Sequence, residues 1–221
     1  MRRPKRRKEY IQVLRRLILA KPDTEGSGYS WTLAAALGEM LLFAEEKFGP
    51  RDTSWTILGI DFTTDYSKTW TPGNGTHIII QLHSNLLTDH YYAYMNLAHE
   101  CIHLLSPTGK ADANMLEEGL AVSFSRWYMQ YVFGEGWWLN AHPLPRYAYA
   151  CNLTEQLLSL NADSIKKLRE VQPVIARITA KQILELCPSA SRELATALTE
   201  LFTHPSNQND HHVNQSHDAH L

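Results

Sequence analysis

The sequence predicts an α+β fold: a small mixed sheet, a single helix placed to carry a site, and a mainly helical C-terminal part. Three observations predict it. Apolar residues recur at helical spacing from Trp31 to Phe48, residues 54–82 are runs of β-branched and aromatic residues separated by turn signals, and helical spacing returns from about Thr88 to Thr203.

With 221 residues, 44% of them hydrophobic and 20% charged, the chain suits one sizeable domain that buries a core without disulfide support. No run is long enough to span a bilayer. The three cysteines, Cys101, Cys151 and Cys187, form no C-x-x-C pair, which argues for a reducing, cytoplasmic setting. The basic start does not lead into a signal peptide, because Arg15 and Arg16 break the apolar stretch behind it, so no export is expected.

The net charge of −2 hides an asymmetry: residues 1–16 hold eight Lys/Arg against one Glu, a local +7 that leaves −9 for the rest. Residues 2–8 are expected to form a disordered basic arm, one that could touch nucleic acid or an anionic membrane, or simply aid solubility. A helix is expected over Glu9 to Ala20, then a linker from Lys21 to Gly28. The next helix, Trp31 to Phe48, turns Leu33, Ala36, Leu37, Met40, Leu41 and Ala44 to one face and stops at Gly49-Pro50.

Ser54 to Phe62 reads as a strand with Leu58, Ile60 and Phe62 on one face. Tyr66 to Thr71 and Thr76 to Leu82 read as a hairpin around Pro72-Gly73-Asn74-Gly75. A helix then starts with Thr88 as N-cap and ends before Ser106-Pro107. Another is expected from about Asn114 to Phe133, followed by Arg146–Leu160, one from Ala162 or Ser164 to Glu170, Pro173–Leu186 and Ser189–Thr203. From His204 on, five histidines among polar residues predict a disordered tail.

The helix after the hairpin carries His99-Glu100-Cys101-Ile102-His103. Residues four apart share a helix face, so both imidazoles can close on one metal ion with Glu100 beside them. A catalytic zinc usually takes three protein ligands, and the following helix offers Leu116-Glu117-Glu118-Gly119-Leu120-Ala121. Fourteen residues lie between His103 and Glu118, enough to end one helix and bring the next back across it. Cys101 faces elsewhere and reads as a small buried residue, as do Cys151 and Cys187.

H-E-x-x-H followed by a Glu-Gly-x-Ala helix resembles the gluzincin branch of the zincin metallopeptidases, and Glu118-x-x-Ala121-x-x-Phe124 is more weakly similar to ImmA/IrrE-type metallopeptidases. The likeness covers about residues 54–132. It implies a zincin-like fold, Zn2+ held by His99, His103 and Glu118, and Glu100 as the base that activates a metal-bound water against a peptide carbonyl. Glu117 is the adjacent competitor for the third ligand position, its other reading being a solvated residue at a helix start.

The likeness also implies that the strand before the site helix, Thr76 to Leu82, is an edge strand pairing with an extended peptide; a plain core strand is the alternative. It further implies a Tyr or His that stabilises the oxyanion. Tyr147 is favoured, because Tyr147, Ala150 and Leu153 are similar to a helix found downstream in gluzincins, with Tyr149 and His142 as the other candidates. Trp127, Tyr128, Tyr131, Trp137 and Trp138 read as core rather than pocket.

The domain organisation expected is residues 1–28 as arm, N-terminal helix and linker, 29–133 as catalytic core, 134–203 as helical subdomain and 204–221 as tail. The expected function is a zinc-dependent metallopeptidase or amide hydrolase acting on a peptide or protein. A non-catalytic zinc-binding regulator that contacts nucleic acid through residues 2–8 is the alternative, and another divalent ion could replace zinc.

Overall fold

The structure, a computed structural model, describes residues 31–73, 75–136, 138 and 144–203, with the side chains of the first helix from Leu33 on. The basic arm, the Glu9–Ala20 helix, the linker, the Trp31 side chain, Trp137, His142 and the His-rich tail lie outside the described residues. Among those described the fold is α+β, a three-stranded mixed sheet with seven α-helices.

Helix α1 (Trp31–Phe48) buries Leu33, Ala36, Leu37, Met40 and Ala44, the stripe that the 3.6-residue period selects. Strands β1 (Thr56–Thr63), β2 (Lys68–Trp70) and β3 (His77–His83) form a sheet in the order β1-β3-β2. β1 runs parallel to β3 and β2 antiparallel to it. β3 alternates cleanly: Ile78, Ile80 and Leu82 are buried, each worth roughly 1.5–3 kcal/mol of apolar burial.

Two expectations about the sheet are corrected. Leu58 does not share a face with Ile60 and Phe62. Ile57 pairs with Ile78 and Gly59 with Ile79, so Leu58 is the extra residue of a bulge and is 52% exposed, while Ile57, Ile60 and Phe62 pack on the core. Gly59 makes this possible by taking φ +142°. β3 is the central strand and not an edge, so Thr76 to Leu82 is a core strand; the edge strands are β1 and β2.

A 3-10 turn (Ser84–Thr88) follows, and helix α2 (His90–His103) begins after it. Its N-cap is Asp89, whose carboxylate accepts from the Tyr92 N–H, rather than Thr88, whose hydroxyl instead donates to the Asn85 carbonyl. α2 buries Ala93, Tyr94, Leu97, Ala98, Cys101 and Ile102. Helix α3 (Met115–Phe133) starts at Asn114, which caps the Glu117 N–H, and packs antiparallel to α2 as the short connection dictates.

Helices α4 (Pro145–Leu160), α5 (Ser164–Val171), α6 (Ala180–Leu186) and α7 (Arg192–Leu198) complete the molecule. The long helix expected over 173–186 is split: a 3-10 turn at Ile175–Arg177 ends, and a Thr179–Gln182 capping box starts α6 afresh. The last helix is shorter than expected. Residues 199–203 leave it to lie along the start of α3, with Met115 N–H bonded to Glu200 O at 2.9 Å and Phe202 N–H to Ala113 O at 2.9 Å. One hydrophobic cluster runs from Leu33 to Phe202. No helix among the described residues is long and apolar enough to cross a membrane.

Candidate metal centre

The last turns of α2 and the first turn of α3 meet face to face, and their polar side chains converge. His99 Nε2 lies 3.3 Å from Glu118 Oε2, and His103 Nε2 lies 3.7 Å from Glu118 Oε1. One ligand atom from each of His99, His103 and Glu118 falls within a group spanning no more than 4.8 Å. Two ligands about 2.0–2.1 Å from a tetrahedral ion stand about 3.3 Å apart, so these separations suit a shared ion with little movement. These three residues are positioned to hold a metal ion.

The donor set fits such an ion chemically. Three carboxyls, Glu100, Glu117 and Glu118, gather around two imidazoles in a mostly buried site, a negative concentration that a dication would offset. Burial by itself would depress the His103 imidazolium, but Glu118, Glu117 and Glu100 outweigh it and push its pKa up to about 10 in the metal-free chain. Glu100 sits beside both histidines and is only 5% exposed. Burial raises its carboxyl above the usual range, against the pull of His103 and His99.

Glu117 is not the solvated residue that the sequence suggests. It is buried, and its carboxylate shares a 2.8 Å hydrogen bond with His103 Nδ1. With Nδ1 so bonded, His103 turns Nε2 toward Glu118, and Glu117 backs His103 without joining the group positioned to hold an ion. Adjacent helical residues point about 100° apart, so one of the Glu117–Glu118 pair can meet His103 at Nδ1 while the other faces the Nε2 atoms of both histidines.

No protein-family model, curated protein or solved structure matches this chain.

The three positions open into a cleft of about 460 Å³. It is lined by β2 and the residues before it (Tyr66 to Thr71), by the 107–113 loop, and by Tyr147 and Phe202. The loop is pinned: Gly109 takes φ +70° against the Trp55 ring, and the Thr108 hydroxyl bonds Asp112. Tyr147 lies in the cleft lining, its ring centroid 5.9 Å from that of His99. Burial, then the Glu118 and Glu100 carboxyls, raises its phenol pKa, so the hydroxyl stays a donor at neutral pH.

Tyr149 is 54% exposed and is not part of the cleft lining. His142 lies outside the described residues. Tyr128 is buried against Glu39 and Trp138 is buried, as the core reading expects, whereas Trp127 and Tyr131 pack with Phe43 but stay part-buried and line a separate pocket of about 530 Å³. Cys101, Cys151 and Cys187 are buried free thiols; burial raises all three pKa values, and none joins the metal group.

Phe202 has no motif, and its contact with Tyr147, centroids 4.7 Å apart, arises only because residues 199–203 return to the start of α3. Gly119 was hidden in another way. A Cβ there would collide with the Ala150 carbonyl oxygen and the Thr154 hydroxyl of α4, so this glycine, more than Ala121, sets the close approach of α3 and α4. That approach carries Tyr147 to the site.

Proposed function

We propose that this chain is a zinc-dependent metallopeptidase or amide hydrolase of the zincin type, with His99, His103 and Glu118 as ligands and Glu100 as base. The observation that carries the reading is the His99–His103–Glu118 group with the Glu100 carboxyl buried beside it, at the floor of an open cleft. Zinc is favoured by the two imidazoles and one carboxylate, a donor set it takes in hydrolytic sites.

A divalent ion held there supplies Lewis acidity to a carbonyl and makes bound water easier to deprotonate. The chain's own groups supply the rest. Glu100, its carboxyl raised toward neutrality by burial, is suited to take a proton from the attacking water and return it to the leaving amine. Tyr147, a protonated donor in the cleft lining, is suited to hydrogen-bond the oxygen on which charge develops. The free edge of β2 offers an extended peptide backbone a strand to pair with.

The test is metal analysis with peptide-library turnover on wild type, Glu100→Gln and Glu118→Ala. We expect Glu100→Gln to keep zinc and lose turnover by at least about 10²-fold, the lower end of what a positioned general base supplies. Glu118→Ala should lose site-bound zinc, and it also serves as the blank for zinc on the histidine-rich tail. Full activity in Glu100→Gln would sink the base assignment; unchanged zinc in Glu118→Ala would sink the ligand set.

A further inference from the structure

Arg169 of α5 is buried, 6% exposed, and is not among the residues that line the cleft. All five of its N–H donors are used, and every acceptor is a main-chain carbonyl. Nη1 donates to Phe48 O and Gly49 O, both at 2.8 Å, and Nη2 to Pro50 O at 2.7 Å and Leu105 O at 3.2 Å. Nε donates to Pro173 O at 3.2 Å. The guanidinium thus caps the C-terminal ends of α1 and α2 together, where orphan carbonyls and the helix dipoles favour a cation.

Leu105 is two residues past His103, and its carbonyl is also held by the Asp52 N–H at 2.9 Å. The Pro173 bond matters as much, because the turn it fixes touches both helices of the metal group. Ile175 N–H donates to Ser106 Oγ at 3.1 Å, just past the end of α2, and Ile175 O accepts from Asn114 Nδ2 at 3.2 Å, the cap of α3. One buried cation therefore organises the segment that sets the end of α2 against the start of α3.

We propose that Arg169 is a positioning residue for the metal centre: through the Leu105 carbonyl and the 173–175 turn it sets His103 against Glu117 and Glu118. The proposal rests on the metal reading of His99, His103 and Glu118. Burial of the guanidinium carries a desolvation penalty, which the five carbonyls, the two helix ends and the nearby Glu45 and Glu117 carboxyls offset. Its neighbourhood also makes it testable. A pocket of about 390 Å³ opens beside it, lined by Lys166, Glu170 and Val174, so water or a small cation can reach the carbonyls when the side chain is shortened.

The experiment uses Co2+ as probe on the full chain, reading affinity and the visible absorption of the bound ion, with Glu118→Ala as the blank for other Co2+ sites. In Arg169→Lys and Arg169→Met, both folded by circular dichroism, we expect Co2+ affinity to fall by about tenfold or more and the absorption bands to change. Methylguanidinium added to Arg169→Ala should restore both. Ile183→Ala, a core change in α6, should lower stability and leave the Co2+ site as in wild type.

Folded Arg169 variants with wild-type affinity and spectrum would overturn the proposal while leaving the metal reading intact. A chain that unfolds in both the Lys and the Met variant would assign Arg169 to global folding and overturn it too. Wild type without a Co2+ site beyond the Glu118→Ala blank would overturn the metal reading, and the proposal with it.

Discussion

Glu117 and Glu118 are neighbours in sequence and differ in what they touch: Glu118 faces both Nε2 atoms, while Glu117 meets Nδ1 of His103. A carboxylate behind a ligand imidazole fixes its tautomer and raises its basicity, so Glu117→Gln should weaken metal binding by about 10–100-fold without abolishing it. Competition against a chelator of known affinity checks this, and equal affinities would make the hydrogen bond incidental. The histidines and Glu100 were legible beforehand, because i, i+4 spacing on a helix fixes their common face whatever the helix packs against. The role of Glu117 was not, since helical position alone does not say whether a side chain meets water or an imidazole.

Among the elements, the α3–α4 contact is the most demanding. Gly119→Ala would force the Ala150 carbonyl away, and such overpacking costs about 1–3 kcal/mol. Denaturant unfolding of this variant should show that loss, and Tyr147, carried on α4, should be displaced with it. A stability change within about 0.5 kcal/mol, as expected for a surface site, would mean the helices separate freely. The number and kind of elements were readable from periodicity, as β3 and α1–α4 illustrate. The order of the strands was not: a strongly apolar Ile78-Ile79-Ile80 run suits a central strand or an edge, and only pairing with β1 on one side and β2 on the other decides. The β1 bulge was equally hidden, because Leu58 fits the alternation and is displaced from it by Gly59.

At the scale of the molecule, the proposed metal binding would be linked to stability. In the metal-free chain His103 has a folded pKa pushed up to about 10, against an ordinary imidazole value near 6.5 when unfolded. A raised folded pKa contributes stability that is fully present below about pH 6.5 and is lost as pH rises through about 10. A bound ion replaces that proton, so the loaded chain should not follow this decline. The Tm gap between loaded and chelated protein should therefore widen from pH 6.5 toward 10, starting from the ordinary mass-action stabilisation of about 2.7 kcal/mol at a free ion concentration one hundred times Kd. A gap that narrows over this range would contradict the site's electrostatics.

Sequence by itself determined the helix that bears His99, Glu100 and His103, the helix that bears Glu118, and the α+β character, because these depend on local periodicity and capping. Tertiary structure alone decided which strands are the edges, that Glu117 backs His103, that residues 199–203 bring Phe202 to Tyr147, and that Arg169 ties together the ends of α1 and α2. The physical reason is range. Spacing on one helix fixes directions within a few residues, whereas each of the latter contacts, between residues 14 to 121 positions apart or between strands, exists only once the chain has closed on itself.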